Sequence, residues 1–211
     1  MKIGLVGGGN VGRRLAALWQ GAGHEVAVGV RGGEGPGPDA GYRVVPVADA
    51  IADAPVVVLA LPFAALADAL PPLAAALAGK VVVDATNPVK PDWSPVLLGE
   101  ANSGGEVVAR LLPGAQVVKA FNTVFADVMT PARLVREGGR VTAFIAGDHS
   151  DANKLVTRLA ADAGFAPLVV GPLAHARYLE AMAHLNIALA VGGGGGTNAA
   201  FVYHREERAD R

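Results

Sequence analysis

The chain has 211 residues, 28 of them glycine and 14 proline, with no cysteine and 52% hydrophobic residues. This describes one large folded domain, or one domain with a small appendage, and excludes a largely disordered chain. A formal charge of −1 and a pI near 6.5 lack the clustered Lys and Arg that nucleic-acid phosphates demand, and the absence of cysteine excludes a disulfide, a thiolate zinc site and a cysteine nucleophile.

The opening Met1-Lys2-Ile3-Gly4-Leu5-Val6-Gly7 turns glycine-rich after a short apolar run, so the chain is expected to begin on a strand rather than a cleavable leader and to reside in the cytoplasm. A strand over 3–6 leads to a helix over 11–20 that Gly21-Ala22-Gly23 stops, and then to a strand over 26–30. Residues 32–41 hold enough glycine and proline to predict a mobile loop. A strand over 56–61, a helix over 63–77 ended by Gly79, and a strand over 81–83 follow. Beyond them come a helix over 105–112, strands over 117–121 and 141–146, and a helix over 150–163 with Ser150 or Asp151 as its cap. A strand over 166–170, a helix over 173–191 and a flexible glycine run over 192–196 complete the chain. The apolar stretch 54–78 carries Asp68 as its one charge, yet Pro55, Pro62, Pro71 and Pro72 interrupt it, so no spanning helix and no membrane partner are expected.

Short strands apolar on both faces, alternating with helices, predict a doubly wound α/β domain with a mostly parallel sheet. Gly7-Gly8-Gly9-Asn10-Val11-Gly12 fits G-x-G-x-x-G directly after the first strand and opens a helix, which makes it a dinucleotide-binding turn of Rossmann type. Gly7 serves the tight turn, Gly9 the close approach of a pyrophosphate and Gly12 helix packing, while the helix N-terminus supplies amide donors. At the end of the second strand, where an Asp or Glu would bind the adenosine ribose, stands Arg31. This favours NADP through charge-assisted bonds to the 2′-phosphate; Glu34, beyond Gly32-Gly33, is the residue that would instead favour NAD.

Ligands in open α/β sheets lie outside the carboxyl ends of the strands. Two such ends are polar: Leu61-Pro62-Phe63, and Asp84-Ala85-Thr86-Asn87-Pro88, which is either a self-bonded turn or a cofactor contact. Lys119-Ala120-Phe121-Asn122-Thr123 ends a later strand in the same manner, with Asn122 and Thr123 able to meet a carboxamide and Lys119 expected to reach a carboxylate. Residues 1–170 then form the cofactor-binding domain, and 171–211 a C-terminal helical extension that completes an acceptor pocket or a homodimer contact.

These segments, with Gly23-His24-Glu25-Val26, Ala146-Gly147-Asp148, Gly171-Pro172-Leu173 and Ala176-Arg177-Tyr178-Leu179-Glu180 in the same order, resemble the family of coenzyme F420-dependent NADP oxidoreductases, to which the cytosolic domain of the STEAP metalloreductases is similar. The resemblance implies an NADPH-dependent enzyme that passes hydride to or from a flat redox cofactor, F420 first and a flavin or ferric chelate second. It further implies that Gly7 to Gly12 bind pyrophosphate and that Thr86, Asn87, Pro88, Asn122 and Thr123 line the nicotinamide and acceptor side; Leu61, Pro62 and Ala120 are expected beside them from their place at strand ends. The F420-specific members usually carry one more residue in the glycine loop, with a Thr that helps hold the 2′-phosphate, and a Ser before the Arg; here Gly9 directly precedes Asn10, Val30 precedes Arg31, and of the phosphate-binding set only Arg31 carries over.

Hydride transfer between such rings needs alignment more than an acid or base, so no single catalytic residue is expected. Ser94, Ser103 and Ser150 stand in no G-x-S-x-G, and the five histidines have no metal-ligand spacing. A β-hydroxyacid dehydrogenase is the nearest rival; Asn186 fits it, but no lysine follows Lys154. A non-catalytic NADP sensor is a further alternative. Arg177, Glu180 and His184 share one helix face and read as an exposed or intersubunit ion-pair row, or alternatively as substrate contacts.

Overall fold

The apolar run Lys2–Val6 forms strand β1, and its register beside Glu25–Val30 (β2) and Val56–Leu59 (β4) sets the frame of the molecule. The structure is a computed structural model and describes residues 1–32 and 41–205. Most of the predicted mobile loop, with Glu34, lies outside the described residues.

Helix α1 (Asn10–Gly21) links β1 to β2, and β3 (Arg43–Pro46) and α2 (Val47–Ala52) precede β4. Then come two short helices, α3 (Leu66–Ala69) and α4 (Ala74–Leu77), strand β5 (Val81–Asp84), α5 (Gly104–Leu111) and β6 (Gln116–Ala120). A four-residue helix α6 (Pro131–Leu134) and a small hairpin of β7 (Val135–Arg136) and β8 (Gly139–Arg140) lead to β9 (Thr142–Gly147). Helix α7 (Ser150–Asp162), β10 (Ala166–Gly171) and α8 (Ala176–Ile187) follow.

The sheet has eight strands in the order β10-β9-β6-β5-β4-β1-β2-β3. From β3 to β6 every pairing is parallel, and chain order reverses between β1 and β4, the switch point at which doubly wound sheets bind ligands. All four residues of β4 and of β5 are buried, because helices cover both faces. On one side α1 and α7 meet, where Trp19, wholly buried, donates its indole Nε1–H to the Leu159 carbonyl at 2.8 Å. On the other side α2, α5 and the 63–77 segment pack Ile51, Leu66, Leu77 and Val108 against Val57 and Val82.

Several elements differ from the sequence reading for identifiable reasons. β3 and α2 escape it because four residues with Arg43 and Pro46 at the ends, then six helical residues, are too short for a periodic signal. Lys80 fixes α2 from outside, its ammonium donating to the carbonyls of Ile51, Ala52 and Ala54 at 2.6–2.9 Å. The helix predicted over 63–77 is divided at Pro71-Pro72, which lack the N–H groups a continuous helix needs. β9 pairs with β6 antiparallel, since no helix long enough for a crossover lies between them, while β10 returns parallel to β9. α7 is capped at His149, with Ser150 already helical and Asp151 in the first turn. The helix predicted over 173–191 is a 3₁₀ turn, then α8, then a π-helical turn at Ala188–Gly192. Gly193, Gly195 and Gly196 bond back to Ala188, Leu189 and Ala190, so the glycine run closes the helix end rather than hanging free. Beyond it, the Phe201 carbonyl accepts from the Thr142 amide and holds the tail along β9.

Candidate functional site

At the end of β1 the glycines divide into two roles. Gly7 has φ +113°, and a Cβ there would lie 2.4 Å from the Ala60 carbonyl oxygen. A Cβ on Gly8 would meet Val30 Cγ1 at 2.8 Å and one on Gly12 the Gly7 oxygen at 2.2 Å, so these three are required by packing. Gly9 has extended backbone, and a Cβ there would meet nothing within 4 Å. Its emptiness belongs to the space in front of the helix. No side chain caps α1, and its first internal bond runs from the Arg13 amide to the Gly9 carbonyl at 3.0 Å. The amides of Asn10, Val11 and Gly12 therefore precede any acceptor in the helix itself, leaving donors and the positive end of the helix dipole facing the open side. These features fit a dinucleotide pyrophosphate.

Arg31 directly follows β2, exposed and without a hydrogen bond among the described residues. Sequence reasoning passed over Arg13, whose Nε donates to the Gly8 carbonyl at 2.6 Å and whose guanidinium is exposed. Gly8 thus adjoins both arginines, Arg13 directly and Arg31 through its neighbour Val30. Leu61 is half-buried against Gly7 and Pro62 is exposed just beyond it.

Next to the helix start lies a cavity of about 150 Å³ that joins Asn10 and Val11 to Asn87, Asn122, Thr123 and, from α8, Ala183, Asn186 and Ile187. None of its lining side chains is ionisable. The two asparagines brace each other: Asn87 Nδ2 donates to the Asn122 carbonyl at 2.7 Å, and Asn122 Nδ2 to Asn87 Oδ1 at 2.9 Å. Asn122 also donates to the Leu179 carbonyl at 3.1 Å, and Asn186 to that of Thr123 at 3.2 Å, so α8 is tied to the β6 end by amide groups. Phe121 holds a left-handed φ of 64° at this turn, with its ring edge-on to Trp19 at 5.7 Å. The buried Asn122 Oδ1 and Thr86 Oγ1 find no hydrogen-bond partner among the described residues.

The Asp84-to-Pro88 turn is self-bonded at its start and reaches the cavity at Asn87. Asp84 Oδ1 accepts from the Thr86 amide at 2.9 Å, as an Asx turn does, while Asn87 faces the cavity. Thr86, Pro88 and Ala120 are buried and do not line the cavity. Beside Arg13, the cavity residues without a sequence signal are Trp93, Val124, Phe125, Ala126, Ala183 and Ile187, while Asn186 fits the sequence only through the dehydrogenase alternative. The aromatic and aliphatic positions gave no motif, because a lone Trp or Ile in a loop or helix reads as packing.

Beneath the cavity, Lys119 is fully buried, and its ammonium contacts Asp84 Oδ2 at 2.9 Å, Glu180 Oε1 at 2.8 Å and the Thr86 carbonyl at 2.7 Å. Burial alone would lower the Lys119 pKa; the Asp84 and Glu180 carboxylates outweigh it and hold the ammonium above the ordinary lysine value. Glu180 in turn accepts from the amides of Gly104 and Gly105 at the start of α5, at 2.8 and 3.1 Å. The predicted ion-pair row on α8 is therefore not a row. Arg177 makes a two-pronged bond to Glu106 at 2.6 and 2.9 Å, Glu180 turns inward to Lys119, and His184 Nε2 lies 3.2 Å from the Pro88 carbonyl. The Arg177 guanidinium holds the Glu106 carboxyl below the usual carboxylate range, with Ser103 assisting from its cap position.

Strand order, a glycine turn opening a helix at the switch point and an amide-lined cavity beside it define a dinucleotide-binding protein of the Rossmann class. Residues 2–88 match the family described as NADP oxidoreductase, coenzyme F420-dependent. The chain is 31% identical to the F420-dependent NADP reductase of Methanothermobacter thermautotrophicus over 90% of its own length and 89% of that protein. A solved structure from Arthrobacter sp. FB24, assigned as an F420-dependent NADP reductase, is 31% identical and superposes with a TM-score of 0.84 over 97% of this chain and 100% of that one. Metalloreductase STEAP3 of Rattus norvegicus is 35% identical over 86% of this chain, which spans 36% of that protein's length. The chain belongs to the family of F420-dependent NADP oxidoreductases and is by class an NADP-dependent oxidoreductase. Among the described residues no helix is long and apolar enough to cross a membrane.

Proposed function

We propose that the protein transfers hydride between NADP(H) and the deazaflavin ring of coenzyme F420. The observation that carries this reading is the single cavity joining the start of α1 to the amide-bearing ends of β5 and β6 under α8, with no ionisable group in its lining. When bound, the reduced nicotinamide supplies the hydride. The chain's own work is positional. The amides of Asn10, Val11 and Gly12 hold the pyrophosphate across the open face of Gly9, and Arg31, with Arg13 beside it, takes the adenosine 2′-phosphate. Asn87, Asn122 and Thr123 orient the carboxamide end, with Asn122 Oδ1 as an unsatisfied acceptor at that edge. Helix α8 closes the acceptor side, Ala183, Asn186 and Ile187 excluding water from the reacting face.

A flavin or a ferric chelate is the second reading for the acceptor, supported by the 35% identity to a metalloreductase. The β-hydroxyacid dehydrogenase reading loses support, because Lys119 is sealed in its ion triad and no lysine reaches the cavity. A homodimer is supported by Tyr178, Leu185 and Leu189, each more than half exposed and spaced seven and four residues apart along α8 and its continuation. The test is a steady-state screen of NADPH and NADH against F420, FMN and ferric chelates. The reading expects turnover with NADPH and F420 at the highest kcat/KM; turnover restricted to NADH, or absent with every ring acceptor, contradicts it.

A further inference from the structure

Between β5 and α5 the chain makes a tight excursion with Trp93 at its tip. The Pro88 carbonyl accepts from the Val96 amide, the Lys90 amide donates to the Ser94 carbonyl, and the Trp93 amide donates to the Lys90 carbonyl, all at 2.8–2.9 Å. Asp92 Oδ1 accepts both from the Ser94 amide at 3.0 Å and from its hydroxyl at 2.7 Å. This knot holds Trp93 at φ 69°, a left-handed conformation that a bulky residue avoids unless its surroundings impose it. The imposed conformation does not bury the side chain: Trp93 is 47% exposed. One part of the indole leans on Phe125, with centroids 6.3 Å apart and planes tilted by 56°. The residue lines the cavity together with Asn87, Asn122 and Thr123.

A large aromatic surface kept half in water at the wall of a cavity is the arrangement that stacks a planar ligand. We infer that Trp93 is the stacking wall for the acceptor ring, and that it makes the site selective for a fused, flat redox ring over a compact acceptor. This rests on the reading that the cavity takes the acceptor. Trp93 belongs to the acceptor alone; pyrophosphate and 2′-phosphate are held elsewhere, at Gly9, Arg13 and Arg31. Phe125 backs the indole from the protein side and leaves its other surface to the ligand. The short Asp92-to-Ser94 turn fixes the ring in advance, so little freedom is lost when a ligand lies against it.

The test is calorimetric binding of F420 and of FMN to the NADP⁺-loaded protein, in wild type, Trp93→Ala and Trp93→Phe, with NADPH affinity measured in each. Trp93→Ala is expected to weaken the ring ligand tenfold or more, Trp93→Phe to stay within about threefold of wild type, and NADPH affinity to stay within about twofold in all three. The unchanged NADPH affinity also reports that each variant is folded. If Trp93→Ala binds the ring as wild type does, the inference on Trp93 is overturned while the acceptor reading stands. If wild type binds neither ring, the acceptor reading falls and the inference with it.

Discussion

Lys119 Nζ and Glu180 Oε1 lie 2.8 Å apart, with Lys119 sealed from solvent and the Glu180 side chain only 6% exposed. The pair joins the last strand of the six-stranded parallel unit to the C-terminal helix. One lysine faces two carboxylates, Asp84 and Glu180, so the cluster carries an excess negative charge, which the α5 amides of Gly104 and Gly105 offset. The triad therefore fixes α8, and with it Ala183, Asn186 and Ile187, at a set distance from the β5 and β6 ends.

Breaking that cluster from its centre should be costly. Lys119→Met leaves two buried carboxylates without their cation and is expected to lower unfolding free energy by about 3–5 kcal/mol. Glu180→Gln keeps an acceptor for the α5 amides and should cost less. Denaturant titration of both variants checks this, and a Lys119→Met loss under about 1 kcal/mol would mean that α8 is held by apolar packing instead.

The four glycines of the turn should separate under mutation. Gly9→Val meets open space on an extended backbone, so the thermal midpoint should stay within a few degrees of wild type while NADPH binding is lost. Gly12→Val would drive its side chain into the Gly7 carbonyl and should lose several kcal/mol of stability, even before any ligand is offered. Thermal unfolding paired with NADPH calorimetry distinguishes them; equal destabilisation by both substitutions would contradict the division of roles.

How far the sequence reached follows from which signals are local. The glycine turn was legible because Gly7, Gly9 and Gly12 keep a fixed spacing directly after an apolar strand, and the strands β4 and β5 because each is built on an unbroken run of valines. Asn87, Asn122 and Thr123 could be placed at strand ends, and the cavity joins them. What stayed hidden depends on contacts distant in sequence. Lys119 could be expected to reach a carboxylate from its place inside an apolar strand, but nothing near Glu180 marks that residue as the partner. Arg13 reads as an ordinary first-turn residue until its bond to the Gly8 carbonyl is seen. The antiparallel β9 has the same apolar run as its parallel neighbours, since a strand covered on both faces shows no direction.

Arg31 tests cofactor selectivity. Arg31→Ala should weaken NADPH roughly 10- to 150-fold, the range for one charged hydrogen-bonding contact to phosphate. NADH affinity should move by less than about threefold, and kcat should hold because the contact is the same in ground and transition states. Raising salt should weaken NADPH more than NADH in the wild type. Equal loss of both cofactors would reassign Arg31 to adenine stacking, and a strong NADPH loss in Arg13→Ala with none in Arg31→Ala would move the phosphate contact across Gly8.

The Glu106–Arg177 pair gives a pH dependence of known sign. Because Arg177 lowers the folded-state pKa of Glu106 from its ordinary 4.5, the pair's contribution is fully present above that value and fades as pH falls through the lower, folded one. Wild type should be more stable than Glu106→Gln at pH 7, with the gap closing as pH falls below 4.5 and through the lower, folded value. Unfolding midpoints at several pH values check it; a gap that persists unchanged at pH 3 would show that Glu106 acts through its neutral hydrogen bonds to Ser103.

The central claim is direct hydride transfer from nicotinamide to a flat ring positioned by uncharged side chains. Single-turnover mixing of NADPH deuterated at the transferred C4 position with F420, followed by mass and NMR analysis of the reduced ring, tests it most directly. The account predicts deuterium at the deazaflavin carbon, with a primary isotope effect on the fast phase and no solvent-derived hydrogen at that position. Reduced F420 without the label, or NADPH that is bound but never oxidised in the presence of F420, would contradict it.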